Sequence, residues 1–478
     1  MGQSGPHSPS VITSGPHTFD GRPQHHRGRT PTTVSQVETV IVGGGAAGVI
    51  AALTLLDRAL PGDRVHLVER SEQVGAGVAY STMVPVHRVN VPANRMSAWP
   101  DFPDHFVRYL ESTGQGSEFT YASRHVYGEY LRHSLESAVS ASSGDFVQWH
   151  DSVVSVDSTL GVHLASGVTI AADNVVLAVG HGAFSVPVAA AREVVTHPWR
   201  VDLHAVVDDL DARNKPIVVV GTGLSAADVV VELDTYGCTD ITAISQRGRF
   251  PEAQLVEPEQ PLLYEQVQHL VGATTAAEII RKTRLVFDEH ADLDWRRVVD
   301  GLRLVIPEMW PEVSDAERDK LFRRVLLIWE QHRNRMPPET AEVLGRLIAD
   351  GSLRLVSGRV HEHSDGVVGV RRFEEYWTEP AGLVICCTGP SMFARKMEEP
   401  LVDDLLDAGF ARPGRTNIGL DTDFDGRVTG PLEAQLWAVG SLRRGSNWES
   451  FNISEIRTQA EVVASLIAAN RDVTLQAF

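Results

Sequence analysis

The stretch Val40-Ile41-Val42-Gly43-Gly44-Gly45-Ala46-Ala47-Gly48 decides how this chain folds. Three aliphatic β-branched residues read as a strand, and a G-x-G-x-x-G follows at once, opening an alanine-rich helical run. In that order each glycine has a physical task. Gly43 allows the tight turn, Gly45 lets the backbone approach a pyrophosphate, and Gly48 lets helix pack on strand. The N–H groups of the first helical turn, at Ala46 and Ala47, then face the anion. About 20 residues further on, a second strand ends in Val68-Glu69-Arg70, where the Glu69 carboxylate is placed to accept hydrogen bonds from a ribose. The run Thr39–Leu56 is uncharged and has the 18-residue length of a membrane span. Its three consecutive glycines weaken that reading, and strand, turn and helix account for both apolarity and glycine.

A second unit repeats the logic: Ile217-Val218-Val219-Val220-Gly221-Thr222-Gly223-Leu224-Ser225-Ala226, with Ala226 at the third glycine position, a permitted variant. Its following strand ends in Ser245-Gln246-Arg247-Gly248-Arg249 instead of an acid. Guanidinium groups there suit a 2′-phosphate and favour NADPH over NADH, the alternative being two solvated surface arginines. Two such units on one chain point to a nicotinamide delivering hydride to a second bound dinucleotide, for which FAD is the economical choice.

Outward from these units the chain alternates short β-branched runs with helical ones, the pattern of α/β layers over parallel sheets. Strands are expected at Glu38–Val42, Val65–Val68, Asn174–Ala178, Ile217–Val220, Ile241–Ile244, Leu383–Cys386 and Leu436–Val439. Residues 255–350 have a helical texture. Ser314-Asp315-Ala316-Glu317 fits a capping box, and Leu321, Val325, Ile328, Trp329 and His332 recur at helical spacing until Pro337-Pro338. Residues 1–36 are rich in Ser, Pro, Gly and His and read as a disordered tail. The expected organisation is therefore this tail, a first FAD-domain part over 37–205, an NADPH domain over 206–382 carrying a helical substrate cap (about 255–350), and a second FAD-domain part over 383–478. The fold class is α/β, with two Rossmann-like dinucleotide-binding domains, for FAD and NADPH, and a helical insert.

Composition excludes several classes. The 478 residues carry 43 Lys+Arg against 62 Asp+Glu, a net charge of −19, which opposes general nucleic-acid binding. Three cysteines offer neither a disulfide framework nor metal spacing, so no metal is expected and a cytoplasmic setting is. No C-x-x-C or C-x4-C pair exists to relay electrons from a flavin, and Cys386-Cys387 ends an apolar strand, where small buried side chains are the simple reading.

Several motifs together resemble a bacterial family of FAD and NAD(P)-binding flavoproteins that includes FAD-dependent urate hydroxylase. They are Gly43 to Gly48, Gly75-Ala76-Gly77-Val78-Ala79-Tyr80, Val89-Asn90-Val91-Pro92-Ala93, Leu177 to Gly182, Trp329 to Pro338, Cys387-Thr388-Gly389-Pro390, and Ala438 to Gly445 with Trp448-Glu449-Ser450. More distantly the architecture is similar to flavin monooxygenases with two dinucleotide domains, N-hydroxylating amine oxygenases among them. The resemblance implies that Gly43, Gly45, Gly48 and Glu69 hold the ADP half of FAD, that Gly75–Tyr80 and Asn90–Asn94 lie near the ribityl chain or isoalloxazine, and that Gly440 marks the closing FAD segment, where a helix dipole can stabilise a reduced flavin. The sequence departs from the common pattern at Ser441, where an Asp often bonds the ribityl chain. The expected cofactor contacts are Gly43, Gly45, Ala46, Ala47, Gly48, Glu69, Arg70, Gly77, Tyr80, Asn90, Gly180, Gly221, Gly223, Ser225, Arg247, Thr388, Gly389, Gly440 and Trp448.

The expected chemistry is oxygenation: NADPH reduces FAD, and a flavin hydroperoxide transfers one oxygen atom to a small anionic or nitrogen-containing metabolite. The protein then excludes water and positions substrate, which explains why no acid–base constellation stands out. Trp295, Arg296, Arg297, His332, Arg333 and Arg335 form an Arg-rich wall suited to an anion, or simply a solvated helix face. Asn90, His332 and Arg335 are the catalytic candidates, although His332 continues the apolar stripe of its helix and reads first as a hydrogen-bonded core histidine. The expected partners are that metabolite and molecular oxygen, without nucleic acid or membrane, and with a homo-oligomer left open. The rival readings are an NADPH-dependent flavin reductase without oxygen insertion and a non-catalytic redox-sensing scaffold.

Overall fold

The computed structural model describes residues 36–476, with side chains to Arg471; the tail expected over residues 1–36 lies, but for Gln36, outside them. In chain order the strands are β1 Glu38–Val42, β2 Arg64–Glu69, β3 Asp145–His150, β4 Val153–Val156, β5 Gly161–Leu164, β6 Thr169–Ala171, β7 Asn174–Leu177, β8 Val194–Val195, β9 Ile217–Val220, β10 Ile241–Ser245, β11 Leu353–Ser357, β12 Arg359–Ser364, β13 Val367–Arg372, β14 Glu375–Pro380, β15 Leu383–Cys386 and β16 Leu436–Ala438. Two parallel five-stranded sheets organise them, ordered β16-β7-β1-β2-β3 and β11-β10-β9-β15-β8. Two antiparallel three-stranded sheets, β4-β5-β6 and β12-β13-β14, flank them. The fold is thus α/β with two doubly covered parallel sheets.

The central strands are apolar throughout because both faces are covered, one by helices and the other by a small antiparallel sheet, β4-β5-β6 with the helix Pro400–Asp407 over the first and β12-β13-β14 over the second. In the first sheet α1 (Ala46–Arg58) buries Val49 to Leu56 between the strands and the long C-terminal helix Ile453–Gln476. In the second, the helix Leu224–Thr235 packs on β9 and β10 through Val229, Val230 and Leu233, all fully buried. The helical region has its own core around Trp310, Val298, Leu302, Val305 and Met309. Among the described residues no helix is long and apolar enough to cross a membrane, and no group of side chains is arranged to hold a metal ion.

Three local expectations are corrected. Leu383–Cys386, assigned above to the closing FAD segment, pairs with β9 in the second sheet, with Val384 opposite Val218, and Val194–Val195 joins it from the other side. Which neighbour an apolar strand pairs with is decided by long-range register, which its local composition does not encode. The helix expected to run through to Pro337 breaks at Val325 into Asp315–Arg324 and Leu326–Arg333, leaving Ile328 44% exposed. Ser314 precedes the first of these without a side-chain cap bond: the Glu317 N–H goes to the Ser314 carbonyl (3.0 Å), and the Glu317 carboxylate accepts from the Ala276 N–H (2.9 Å) and Lys320 instead of the Ser314 N–H.

Candidate functional site: two dinucleotide cradles

At the end of β1 the chain turns at Gly43, whose φ of +100° and proximity to Ala178 both exclude a side chain; a Cβ there would lie 2.5 Å from the Ala178 carbonyl oxygen. A Cβ on Gly48 would overlap the Gly43 carbonyl oxygen. Gly45 is different. Its Cβ would meet only the Gly77 Cα, at 3.6 Å, so the space before α1 is open. Gly45 caps the helix without a side-chain bond, and the first helical hydrogen bond is Val49 N–H to Gly45 O (3.0 Å), so the N–H groups of Ala46, Ala47 and Gly48 precede it. Such an arrangement has the geometry to cradle an anion.

Its two flanks are also defined. On the β2 side the Glu69 carboxylate accepts the Gly44 N–H (2.6 Å) through one oxygen and the Ser71 N–H (2.8 Å) through the other. Arg70 turns instead toward Glu399 (3.4 Å). Gly75 N–H donates to Gly44 O (2.7 Å), which brings Gly77, at φ +49°, over Gly45. Tyr80 packs on Tyr127 (4.7 Å between centroids), and burial pushes its phenol up to about 12. Asn90 is half-buried. On the other side, β7 and β16 end in Gly180 (φ +74°) and Gly440 (φ +78°), and Gly440's Cβ position lies 3.5 Å from the Ala47 Cβ. Gly440 N–H donates to Gln459 Oε1 (2.8 Å) and only a four-residue helical turn follows, so no helix of useful dipole starts here. Ser441 donates its hydroxyl hydrogen to Gly180 O instead of presenting an acid.

The second cradle repeats the geometry. Gly221 has φ +117°, and a Cβ on it would overlap the Cys387 carbonyl oxygen, whereas a Cβ on Gly223 would find nothing within 4 Å. Gly223 caps the helix Leu224–Thr235 without a side-chain bond, with Ser225 in the first turn. Thr222 Oγ1 ties the turn to Ser245 Oγ (2.7 Å) and to the Arg249 carbonyl (2.6 Å). Arg247 and Arg249 are both exposed beside it, Arg247 touching Gln331 Oε1 at 3.3 Å. Thr388 donates to the Ser185 carbonyl, and Gly389, at φ +78°, borders open space.

The Arg-rich wall has another use than the one expected. Arg335, 4% exposed, is paired with Asp300, which also holds Arg95 (3.1 Å). Arg333 donates twice to Glu449 (2.8 and 2.5 Å), and Glu449 also accepts from Arg303 (3.2 Å), itself paired with Glu455. Arg296 binds Asp294 (2.9 Å) and the Ala253 carbonyl, and Arg297 binds Glu259 (3.3 Å) and the Gln260 carbonyl. Arg333 and Arg303 tie the helical region to the first sheet's closing segment and Arg95 ties it to the first part of the chain, while Arg335, Arg296 and Arg297 are engaged within the region itself. Arg335 is a structural ion-pair residue and not a group facing a reaction. His332 bonds the Ile328 carbonyl through Nδ1 (2.8 Å) and meets Trp295 edge-on (5.1 Å), an arrangement that positions a ring in a wall. Trp448 is 4% exposed and packed among Trp310, Phe322 and Arg444, so it acts through the core. Sequence reasoning missed Arg318 and Arg444, both buried, because one partner of each lies far along the chain: Arg318 donates to the Gly445 carbonyl (2.8 Å) as well as to that of nearby Trp310 (2.5 Å), and Arg444 donates to Glu330 (2.7 Å).

With this geometry in place, comparison with known proteins adds the following. Residues 40–182 match the family model described as FAD-NAD(P)-binding, which covers the first cradle from β1 through Gly180. No curated protein matches the chain in sequence. Among solved structures it is similar to the Kutzneria sp. 744 ornithine N-hydroxylase, in a form with reduced FAD, NADP+ and L-orn, at 16% identity over 91% of this chain and 100% of that one, with a TM-score of 0.63. It is similar to the reduced ornithine hydroxylase of Pseudomonas aeruginosa (14%, 91% and 99%, TM-score 0.58) and to the bacillithiol disulfide reductase of Staphylococcus aureus (12%, 91% and 99%, TM-score 0.55). At these identities the likeness is one of fold, and it runs along nearly the whole chain.

Proposed function

We propose that this protein is an FAD-dependent, NADPH-consuming monooxygenase that inserts one oxygen atom into a small nitrogen-containing metabolite. The observation that carries the reading is the pair of open cradles, each a glycine-lined helix start at the carboxyl ends of a parallel sheet, in one chain. The residues fit the two groups: Gly45 and Gly223 leave the space a pyrophosphate needs, and each begins a helix without a side-chain cap. Gly43, Gly45, Gly48 and Glu69 would hold the ADP half of FAD, with Gly180 and Gly440 beside it. Gly221, Gly223, Ser225 and Arg247 would hold NADPH, the exposed guanidinium reading the 2′-phosphate. FAD supplies the two-electron chemistry that links nicotinamide to oxygen. The chain binds and orients the two dinucleotides and screens the reacting centre from water.

With the arginines of the helical region engaged by carboxylates and carbonyls, that wall gives no particular welcome to an anion, and a nitrogen-bearing substrate is the better reading. The fold it shares with a disulfide reductase raises the rival that the flavin reduces a small molecule without oxygen. Against a relay through protein thiols, Cys238, Cys386 and Cys387 are all buried, and burial pushes each thiol up, Cys386 to about 11. The test is NADPH oxidation and oxygen uptake by FAD-loaded protein against a panel of small amines, amino acids and purines, with hydrogen peroxide titrated in parallel. Substrate-stimulated uptake with little peroxide is expected. NADPH oxidation that yields only peroxide with every compound would overturn the monooxygenase reading in favour of the reductase.

A further inference from the structure

The two cradles belong to different sheets, and one helix reaches both. The helix Arg124–Ala141 backs the Gly75–Tyr80 loop of the first cradle: a Cβ on Gly128 would lie 2.9 Å from the Tyr80 carbonyl oxygen, and Tyr127 meets the Tyr80 ring at 4.7 Å. That loop in turn brings Gly77 over Gly45. At its other end the helix begins with Arg124, whose Nε and Nη2 both donate to Asp228 Oδ2, at 3.1 and 2.9 Å. Asp228 lies one turn inside the helix Leu224–Thr235, the helix that Gly223 opens at the second cradle. The two side chains are 14% and 4% exposed, so the pair is screened from solvent.

A second contact supports the first. One turn further along the helix Leu224–Thr235 the Glu232 carboxylate stands 3.1 Å from His87 Nε2, both side chains buried. His87 Nδ1 bonds the Thr82 hydroxyl (2.8 Å), its backbone carbonyl accepts the Arg124 N–H (2.8 Å), and Trp199 meets its ring edge-on at 5.2 Å. Beside it Val86 packs against the apolar core of the second sheet. Burial pushes the Asp228 carboxyl up in pKa and the Arg124 charge opposes this, so either partner, if lost, leaves the other uncompensated.

Resting on the reading of the two cradles as FAD and NADPH sites, we infer that Arg124 and Asp228 are positioning residues that set the nicotinamide of one dinucleotide against the ring of the other. The nicotinamide gives up a hydride, one proton with two electrons, to the flavin ring, leaving NADP+ and anionic reduced FAD. The rate of such a step falls steeply when the reacting atoms are displaced by an ångström. Neither side chain needs to touch a dinucleotide. Arg124 is fixed to the loop over Gly45 by its own helix, and Asp228 to the turn at Gly223 by its own. Two nitrogens on one carboxylate oxygen then hold the helices in register, and burial keeps water from exchanging for either partner.

The test is rapid-mixing reduction of FAD-loaded protein by NADPH. It is read beside the dissociation constant for NADP+ and the long-wavelength charge-transfer absorbance that arises when NADP+ lies against reduced flavin. Asp228→Asn is expected to slow flavin reduction at saturating NADPH by about tenfold or more and to weaken the charge-transfer band, with FAD content retained and NADP+ binding within about twofold of wild type. Arg124→Gln should do the same, and the double variant should be no slower than either alone, because the pair is lost once. Arg124→Lys, which keeps the charge, should recover part of the rate. A wild-type reduction rate and charge-transfer band in Asp228→Asn overturn the inference. So does a loss of rate matched by an equal loss of FAD and NADP+ binding, or a double variant whose loss is the product of the two single losses. If Asp228→Asn does not fold, Arg124→Gln, at the less buried end of the pair, decides by the same comparison. Wild-type protein that binds no FAD, or whose FAD NADPH does not reduce, would overturn the reading of the cradles, a result separable from a flavoprotein reduced at full speed without the pair.

Discussion

Replacing Glu449 by alanine should loosen the whole helical region. Its carboxylate is 2% exposed and accepts both Arg333 bonds, at 2.8 and 2.5 Å, as well as the Arg303 bond at 3.2 Å. Arg303 keeps Glu455 when Glu449 is removed, but Arg333, 5% exposed, is left with only Asn334 Oδ1 at 3.5 Å. A buried guanidinium without its counter-charge costs about 3–5 kcal/mol. At roughly 2 °C per kcal/mol for large domains this is a fall of about 6–10 °C in Tm. Glu449→Gln, which keeps one acceptor but no charge, should lose less. The assay is thermal unfolding of the FAD-loaded protein, with limited proteolysis to show that new cleavage falls between residues 255 and 350. The double variant Glu449→Ala with Arg333→Ala removes both charges and should be less destabilised than the sum of the single changes. A Glu449→Ala protein melting within 1 °C or so of wild type would refute the argument that this pair anchors the region.

The same carboxylates set an acid limit. Burial alone would raise Glu449, Glu455 and Asp300, but facing arginines outweigh it and hold all three below the usual range, Glu455 at about 2. Their stabilisation is full above the ordinary carboxylate pKa and is lost as pH falls through the depressed values, so Tm should hold down to about pH 5 and drop steeply below pH 4; a Tm flat to pH 2 would contradict this. Gly223→Ala meets open space at a backbone conformation alanine accepts, so it should leave Tm unchanged while raising the Michaelis constant for NADPH at least tenfold; unchanged kinetics would remove Gly223 from the site. Gly48→Ala, whose methyl group would overlap the Gly43 carbonyl, should destabilise the fold by about 1–3 kcal/mol or more and release FAD, and full flavin retention with a normal melt would speak against it. Arg247→Ala should raise the Michaelis constant for NADPH more than for NADH; equal changes would show that Arg247 does not read the 2′-phosphate.

What could be read in advance follows the range of the interactions. The two glycine turns are local devices, since Gly43 and Gly221 are required by their own backbone angles and by the strand beside them, and both strands appear where the β-branched runs place them. The arginines were misread because guanidinium chemistry suits a substrate carboxylate and a protein carboxylate equally. Only the folded chain shows that Asp300 and Glu449 occupy Arg335 and Arg333. The placement of β15 was lost for the same reason, its partner β9 lying far upstream. Arg444 carried a faint local signal in the aromatic Trp448 and Phe451 that follow it, without any hint of its distant partner Glu330.

The first sheet has an unfinished edge during synthesis. Strand β7 is complete at Leu177, yet β16, which pairs with it, does not emerge until Leu436, after the whole second sheet has been made. Throughout that interval β7 presents free backbone donors and acceptors. The passages out of and back from the second sheet run side by side meanwhile, with Phe184 bridged to Pro390 and Ser391 N–H bonded to the Ala183 carbonyl at 2.7 Å. The later unit can thus close as a cassette whose two ends meet, and its closure delivers the remaining chain to the waiting edge. By connectivity alone the strands of the second sheet are all synthesised before β16 can complete the first, so a nascent chain ending between Cys387 and Leu436 is the one expected to expose the β7 edge.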